Sequence, residues 1–421
     1  MIYLILDFLK NRFGVKIPAV FSYYSTGIIL AAVTALLISI FLGPWFITKL
    51  YELKIGQSIR TDECPLLGKL HHNKKDTPTM GGVLILFSLL VSMFLWMDLT
   101  NVFTLILFIT TVVLGCLGGY DDYLKLKYKN TKGLSARKKL LVQFSLSGLI
   151  ALYLLSPTVT NAVTSGEWFK PPVIKEQLRE PSDTTRTALS TLISPAEASE
   201  VKSAKQLTLA EYASRIYVPF FKDPLLIFSS AFAIIPALFI MFVITGCSNA
   251  VNLTDGLDGL AAGCLIMVAS CLAFFAFVSN HFDLARYLNI MYVEGSGEIA
   301  IYLSAFIGAC IGFLWYNGHP AQVFMGDTGS LALGGVLGVS AVLLKRELIL
   351  GLVGGIFLVE ALSVVLQVAS YRYRNKKRIF LCAPLHHHFE FKGWPETKVV
   401  VRFWIVGLML AIIGVASLKF Q

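Results

Sequence analysis

Five aspartates stand where long apolar segments of this chain end on one side: Asp121 and Asp122, Asp255 and Asp258, and Asp327. Carboxylates are hard oxygen ligands for a divalent cation, and lysines and a His386-His387-His388 run accompany them. Ammonium groups neutralise anions, and imidazoles exchange protons or bond to phosphate. Such a set fits chemistry on a charged, metal-bound substrate at a membrane surface.

The residues fall into five stretches. Lys74-Lys75-Asp76-Thr77-Pro78-Thr79-Met80-Gly81-Gly82 opens an apolar segment, where Lys74, Lys75 and Thr79 could cradle an anion at a helix start; an ordinary basic flank with a threonine cap has the same composition. Gly118-Gly119-Tyr120-Asp121-Asp122-Tyr123-Leu124-Lys125 closes another, and its paired acids can ligate Mg²⁺, hold a proton or orient Lys125. In Asn249 to Ala261, a cap at Asp258 would put Asn252, Asp255 and Asp258 at three-residue spacing around a helix N-terminus. Trp315 to Ser330 offers Asn317 and Phe324 to a base and Asp327 to a metal beside its phosphates. In Pro384 to Glu396, consecutive histidines cannot all face one ion in regular backbone. His386, His387 and His388 therefore read as phosphate hydrogen-bonders or acid–base groups before zinc ligands.

The elements that must position these groups are membrane helices. The chain has 421 residues, 56% apolar and 15% charged, and the apolar residues lie in ten long runs: 21–48, 80–97, 99–120, 140–156, 225–246, 259–280, 299–317, 328–344, 348–370 and 399–418. Each approaches the roughly 20 residues that cross a bilayer, where only helices satisfy their own backbone. The expected fold is one all-α integral membrane domain over residues 1–421, with residues before 21 as an interfacial helix and not a cleaved signal.

Orientation follows from charge. The loops 49–75, 125–139 and 372–398 hold six, seven and seven Lys and Arg, against only Arg286, Lys345 and Arg346 in the short loops opposite. The basic loops belong in the cytoplasm, both termini outside, and all five aspartates and the histidines on the inner face. The loop 157–222 holds eight basic residues yet falls outside; long loops cross largely regardless of charge. Its polar, proline-containing sequence reads as partly disordered, with one short helix near 196–214. Seven cysteines, none in that loop, imply no disulfide framework.

Together these motifs resemble the polyprenyl-phosphate N-acetylhexosamine-1-phosphate transferases over about residues 23–420. The likeness rests on Thr-Pro-Thr-Met-Gly-Gly, Asn-Leu-Thr-Asp-Gly-Leu-Asp-Gly, Phe-Met-Gly-Asp-Thr-Gly-Ser and His-His-His-Phe-Glu. The last, with Lys392-Gly393-Trp394-Pro395-Glu396 and Val400-Val401-Arg402-Phe403-Trp404, marks the branch using a muramoyl-pentapeptide donor. The resemblance implies transfer of phospho-MurNAc-pentapeptide from UDP-MurNAc-pentapeptide to undecaprenyl phosphate in a bacterial plasma membrane, with Mg²⁺, giving lipid I and UMP. It places Asp327 on the metal and Asp121, Asp122 and His386 at the reacting phosphates. Asn252, Asp255, Asp258 and Phe324 go to the uridine diphosphate, and Lys74, Lys75 and Lys125 suit phosphate neutralisation. It further implies a homodimer and no nucleic-acid partner. The loop from 157 to about 216 is longer than the family's. Two other readings are a UDP-GlcNAc-using relative, which should lack the histidine and Lys-Gly-Trp runs, and a proton-coupled transporter, motivated by Glu360 and Gln367 within the ninth run.

Overall fold

The computed structural model describes residues 12–13, 18–53, 77–128, 133–164, 169, 172–176, 205–229 and 232–418. The ten runs fold as ten long helices: α1 Tyr24–Glu52, α2 Gly82–Trp96, α3 Val102–Lys127, α4 Ala136–Leu155, α5 Ile234–Thr254, α6 Leu260–Ser279, α7 Ser296–Asn317, α8 Gly326–Leu343, α9 Gly355–Tyr373 and α10 Glu396–Ala416. Among the described residues, nine helices are long and apolar enough to cross a membrane. The other, α2, has 15 residues and so spans about 22 Å, short of a full hydrocarbon core.

Burial sorts the helices. α7 and α8 are 78% and 89% buried over their apolar windows, whereas α1, α9 and α10 are 22–33% buried and turn Phe41, Trp45, Val365 and Ile412 outward. Apolar faces outside and packed helices at the centre are what a lipid solvent requires. On α8, Gly334 and Gly338 meet the backbone of α5 directly, a small-residue seam that lets two helices approach closely.

The ninth run is not continuous. Gly354 ends a short helix, Glu347–Val353, and precedes α9, so the Gly354-Gly355 pair breaks what hydrophobicity alone presents as one segment.

Residues 157–229 hold more structure than composition indicates. Strands β1 Ile174–Glu176 and β2 Lys205–Leu207 pair antiparallel, and β1 also pairs with β5 Tyr292–Val293, so Ile174 faces both Leu207 and Val293. A second ribbon joins β3 Arg215–Ile216 to β4 Leu226–Ile227. The expected helix near 196–214 is described only as Leu209–Ala213. Thr208 and Glu211 form a capping box that starts it there and leaves Lys205–Leu207 free to pair. Residues 177–204 lie outside the described set, as does most of the expected N-terminal interfacial helix. The segment around Leu209–Ala213 is tied to the far end of α8: the Tyr212 hydroxyl donates to Leu343 O at 3.0 Å, and Lys345 Nζ to Ala213 O at 3.2 Å.

Candidate active site

The site forms where helix ends meet, and the N-terminus of α8 is its centre. Gly326 enters the helix at φ +73°, a left-handed conformation open to glycine, and its backbone lies against Asp122 and Thr79. Asp122 on α3 then caps α8 from outside: its Oδ1 accepts Asp327 N–H at 3.2 Å, and its Oδ2 accepts Thr328 N–H at 2.9 Å and Thr328 Oγ1–H at 2.7 Å. These are donors a helix start leaves unpaired. The crossing is so close that a Cβ on Gly118 would overlap the backbone oxygen of Asp327.

This crossing gathers three carboxylates. One ligand oxygen from each of Asp121, Asp122 and Asp327 lies within 4.8 Å of the others. Lys125 Nζ sits 2.8 Å from Asp121, 3.0 Å from Asp327 and 3.7 Å from Asp122. Lys139 Nζ, from the first turn of α4, sits 2.8 Å from Asp121 and 2.6 Å from Asp327. Asp121 Oδ1 accepts Leu134 N–H at 2.6 Å. Asn252 Nδ2 donates to Asp327 Oδ1 at 3.1 Å and to Ser330 Oγ at 2.8 Å. Three acids against two ammonium groups leave one negative charge in a partly desolvated cleft. That donor set suits a hard divalent cation.

Asp255 ends α5 beside this cluster. Withdrawal from water, then the charges of Asp327 and Asp122, push its carboxyl up to about 7 against the opposing Gly326 N–H.

Asp258 does not cap α6. Gly259 occupies that position at φ +74°, with no side-chain cap. Instead Asp258 Oδ2 faces His319 Nδ1 at 3.0 Å and Ala321 N at 3.1 Å, because the left-handed glycine turns the chain before the helix begins. The predicted row of Asn252, Asp255 and Asp258 around one helix start is therefore split: the first two flank Asp327, and Asp258 joins a neighbouring cluster with Glu396. Asn317 stitches that neighbourhood, its Oδ1 accepting Gly259 N–H at 3.0 Å and its Nδ2 donating to Val323 O at 2.9 Å. Phe324 is half-buried and bonded through its backbone to Pro78 O and Gly81 N, each at 2.8 Å. Thr79 Oγ1 lies beside Gly326 at the start of α8, while Lys74 and Lys75 lie outside the described residues.

The three histidines on the short helix Leu385–Phe391 diverge. His386 is fully buried against Gly256, where a Cβ would overlap its Nε2; among the described residues neither ring nitrogen has a hydrogen-bond partner, and Nδ1 lies 3.3 Å from Glu360 Oε2. His387 Nδ1 pairs with Glu390 at 2.7 Å. His388 Nδ1 accepts Leu381 N–H at 3.1 Å, and burial, then Lys392, holds this ring below the usual imidazole range. Buried Glu360 holds the helix start: Oε2 accepts Leu385 N–H at 2.7 Å and Oε1 accepts His386 N–H at 3.0 Å. This carboxylate anchors the histidine segment instead of facing a path through the membrane.

Sequence reasoning missed Lys139, Glu396 and His319. Lys139 was visible only as one of the basic residues that set orientation, and Glu396 only as part of the branch-marking run.

Comparison with known proteins bears on this geometry. The glycosyl transferase family 4 model matches residues 200–345, and phospho-N-acetylmuramoyl-pentapeptide-transferase signature 1 matches residues 74–86. The phospho-N-acetylmuramoyl-pentapeptide-transferase of Protochlamydia amoebophila (strain UWE25) is 66% identical over 421 residues, all of both chains. The chain belongs to the phospho-N-acetylmuramoyl-pentapeptide-transferase family. A second member, from Endomicrobium trichonymphae, is 45% identical over 389 residues, 92% of each chain. The matched range 200–345 takes in Asn252, Asp255, Asp258, Phe324 and Asp327, and signature 1 ends inside α2, against the start of α8.

Proposed function

We propose that this enzyme transfers phospho-N-acetylmuramoyl-pentapeptide from UDP-MurNAc-pentapeptide to undecaprenyl phosphate, forming lipid I and releasing UMP at the cytoplasmic face of the bacterial plasma membrane. The carboxylate cluster of Asp121, Asp122 and Asp327, laced by Lys125 and Lys139 at one end of an apolar bundle, carries the reading. The acceptor is a phosphate monoester with a second pKa near 6, so at pH 7 it is mostly dianionic and needs no strong base. An acceptor oxygen attacks the β-phosphorus, the bond from that phosphorus to the bridging oxygen breaks, and UMP leaves with the electron pair.

The barrier is the meeting of two anions. Lys125 and Lys139 stand where they can leave the carboxylates for substrate phosphates, with Lys74 and Lys75 as further counter-charges. Mg²⁺, held by Asp327 with Asp121 beside it, would supply divalent charge to the diphosphate. Asn252 and Asp255 border the diphosphate, while Asp258, Asn317 and Phe324 form the nucleoside end and Thr79 the opposite rim. His386, packed against Gly256, stands on the side of the reacting phosphates, and His387 and His388 shape the wall on the muramoyl side. The basic loops support an orientation with both termini outside, residues 157–222 on the outer face, and a homodimer is the expected working unit.

The test is UMP release by purified protein given UDP-MurNAc-pentapeptide, undecaprenyl phosphate and Mg²⁺, beside UDP-GlcNAc and an EDTA control. Release that needs the lipid, the metal and the muramoyl donor is expected. Release from UDP-GlcNAc alone would move the chain to a sister specificity, and no release from either donor would overturn the reading.

A further inference from the structure

Glu396 opens α10 at the end of the Lys392-Gly393-Trp394-Pro395-Glu396 run, yet it makes polar contacts in the Asp258 neighbourhood. Its Oε1 accepts the backbone N–H of Asp258 at 2.8 Å, and its Oε2 lies 3.8 Å from His319 Nδ1. His319 Nδ1 is 3.0 Å from Asp258 Oδ2, the oxygen that also accepts Ala321 N–H. A carboxylate has no hydrogen to give, so Nδ1 carries it, directed at Asp258 with Glu396 alongside.

The three groups come from three elements: the turn before α6, the connection between α7 and α8, and the start of α10. Their side chains are graded from buried to open, at 1% exposure for Asp258, 12% for Glu396 and 43% for His319. The segment before Glu396 is itself pinned. Trp394 stacks on Phe389 with ring centroids 4.7 Å apart, and the Arg402 guanidinium covers its ring at 4.2 Å. Glu396 is thus held on a fixed helix start and fixes both the backbone and, through His319, the carboxylate of Asp258.

We propose that Glu396, acting with His319, is a positioning residue for the nucleotide end of the donor, holding Asp258 in the geometry that binds the uridine diphosphate. This rests on the reading of Asp258 as a nucleotide contact. The branch-marking run then has a second role, because it reaches the part of the donor common to all UDP-sugars as well as the part that distinguishes them.

The test separates KM from kcat on the full chain. Glu396→Ala removes a charge-assisted bond to a backbone N–H and is expected to raise donor KM and the UMP inhibition constant together, by about tenfold. Turnover should stay within about twofold and acceptor KM should not move, since the contacts of Glu396 with Asp258 and His319 lie at the proposed nucleotide end. Glu396→Gln keeps a carbonyl acceptor for Asp258 N–H and should recover most of the loss; this variant carries the test if the alanine variant does not fold. Asp258→Asn combined with Glu396→Ala should bind UMP no more weakly than Asp258→Asn alone, because both act at one place. A rise in donor KM without a rise in the UMP constant would overturn the proposal and put Glu396 on the muramoyl-pentapeptide. Additive losses in the double variant would also overturn it. A wild-type enzyme that UMP does not inhibit would instead remove the nucleotide role of Asp258, and the proposal with it.

Discussion

Lys139→Met should tighten Mg²⁺ binding while lowering turnover. Lys139 Nζ lies 2.8 Å from Asp121 and 2.6 Å from Asp327, and its side chain is 18% exposed, so it supplies much of the positive charge among three acids. A divalent cation among carboxylate oxygens spread over 4.8 Å would sit on the order of 5 Å from that ammonium. The repulsion between them is about 1.7 kcal/mol at the dielectric constant of water and about 6.6 kcal/mol at an effective value of 20. Methionine keeps the apolar stem and removes the charge, so half-saturating Mg²⁺ should fall by at least about tenfold. Turnover should fall by about 10² to 10³, the usual effect of removing one group that stabilises developing charge. The assay is initial-rate UMP release against free Mg²⁺ for both proteins. Lower turnover with an unchanged or raised half-saturating Mg²⁺ would refute the reasoning, because Lys139 would then not be competing with the metal for these carboxylates.

Gly118→Ala should abolish activity, since its Cβ would overlap the backbone oxygen of Asp327 and neither backbone can yield; Gly351→Ala, with nothing within 4 Å, should be neutral in the same UMP assay. Asp255→Asn should flatten the pH dependence of stability measured in EDTA. The wild-type group has a folded pKa of about 7, above its unfolded value, so between about pH 4 and 7 the folded state holds the extra proton and stability falls by up to about 1.4 kcal/mol per pH unit. Equal slopes in thermal melts of the two proteins would show that Asp255 does not set the trend. Glu360→Gln leaves one acceptor for two N–H groups and should cost about 1–3 kcal/mol, seen as faster amide exchange confined to residues 385–391.

Much of this architecture is legible in sequence because a bilayer enforces a simple code. Nine of the ten apolar runs each give one helix and the ninth gives two, and alternating connections put Asp121, Asp122, Asp255, Asp258 and Asp327 at one end. The rest depends on contacts that leave no periodic trace. Lys139 reaches Asp121 from a different helix, Ala136–Leu155 against Val102–Lys127, so no periodicity within one element relates the two. Glu360 meets Leu385 and His386 some 25 residues on, and nothing in an isolated intramembrane acid tells an anchor from a proton relay. Asp258 has the right type and position for a cap, but Gly259 adopts the left-handed conformation and takes the place. The strands among the described residues are two or three residues long, too short for alternation to show.

The positions of Asp121 and Asp122 bear on the chemistry itself. Asp122 spends both oxygens on the first turn of α8, and that turn is what presents Asp327 to the cleft. Taking a proton there would weaken its hold on the helix that carries the proposed metal ligand. Asp121 gives one oxygen to Leu134 N–H and the other to two ammonium groups, so a proton arriving there would have to displace a lysine. Neither acid is arranged as a base waiting for a substrate hydrogen, and a dianionic acceptor brings none that must be removed. The same contacts suit an electrostatic device: Lys125 and Lys139 rest on carboxylates that would hold a divalent cation, and from there they could turn to substrate phosphates. On this argument a loss of activity on replacing Asp122 would report the displacement of Asp327, and the catalytic effect lies in charge placed in advance at the end of α8.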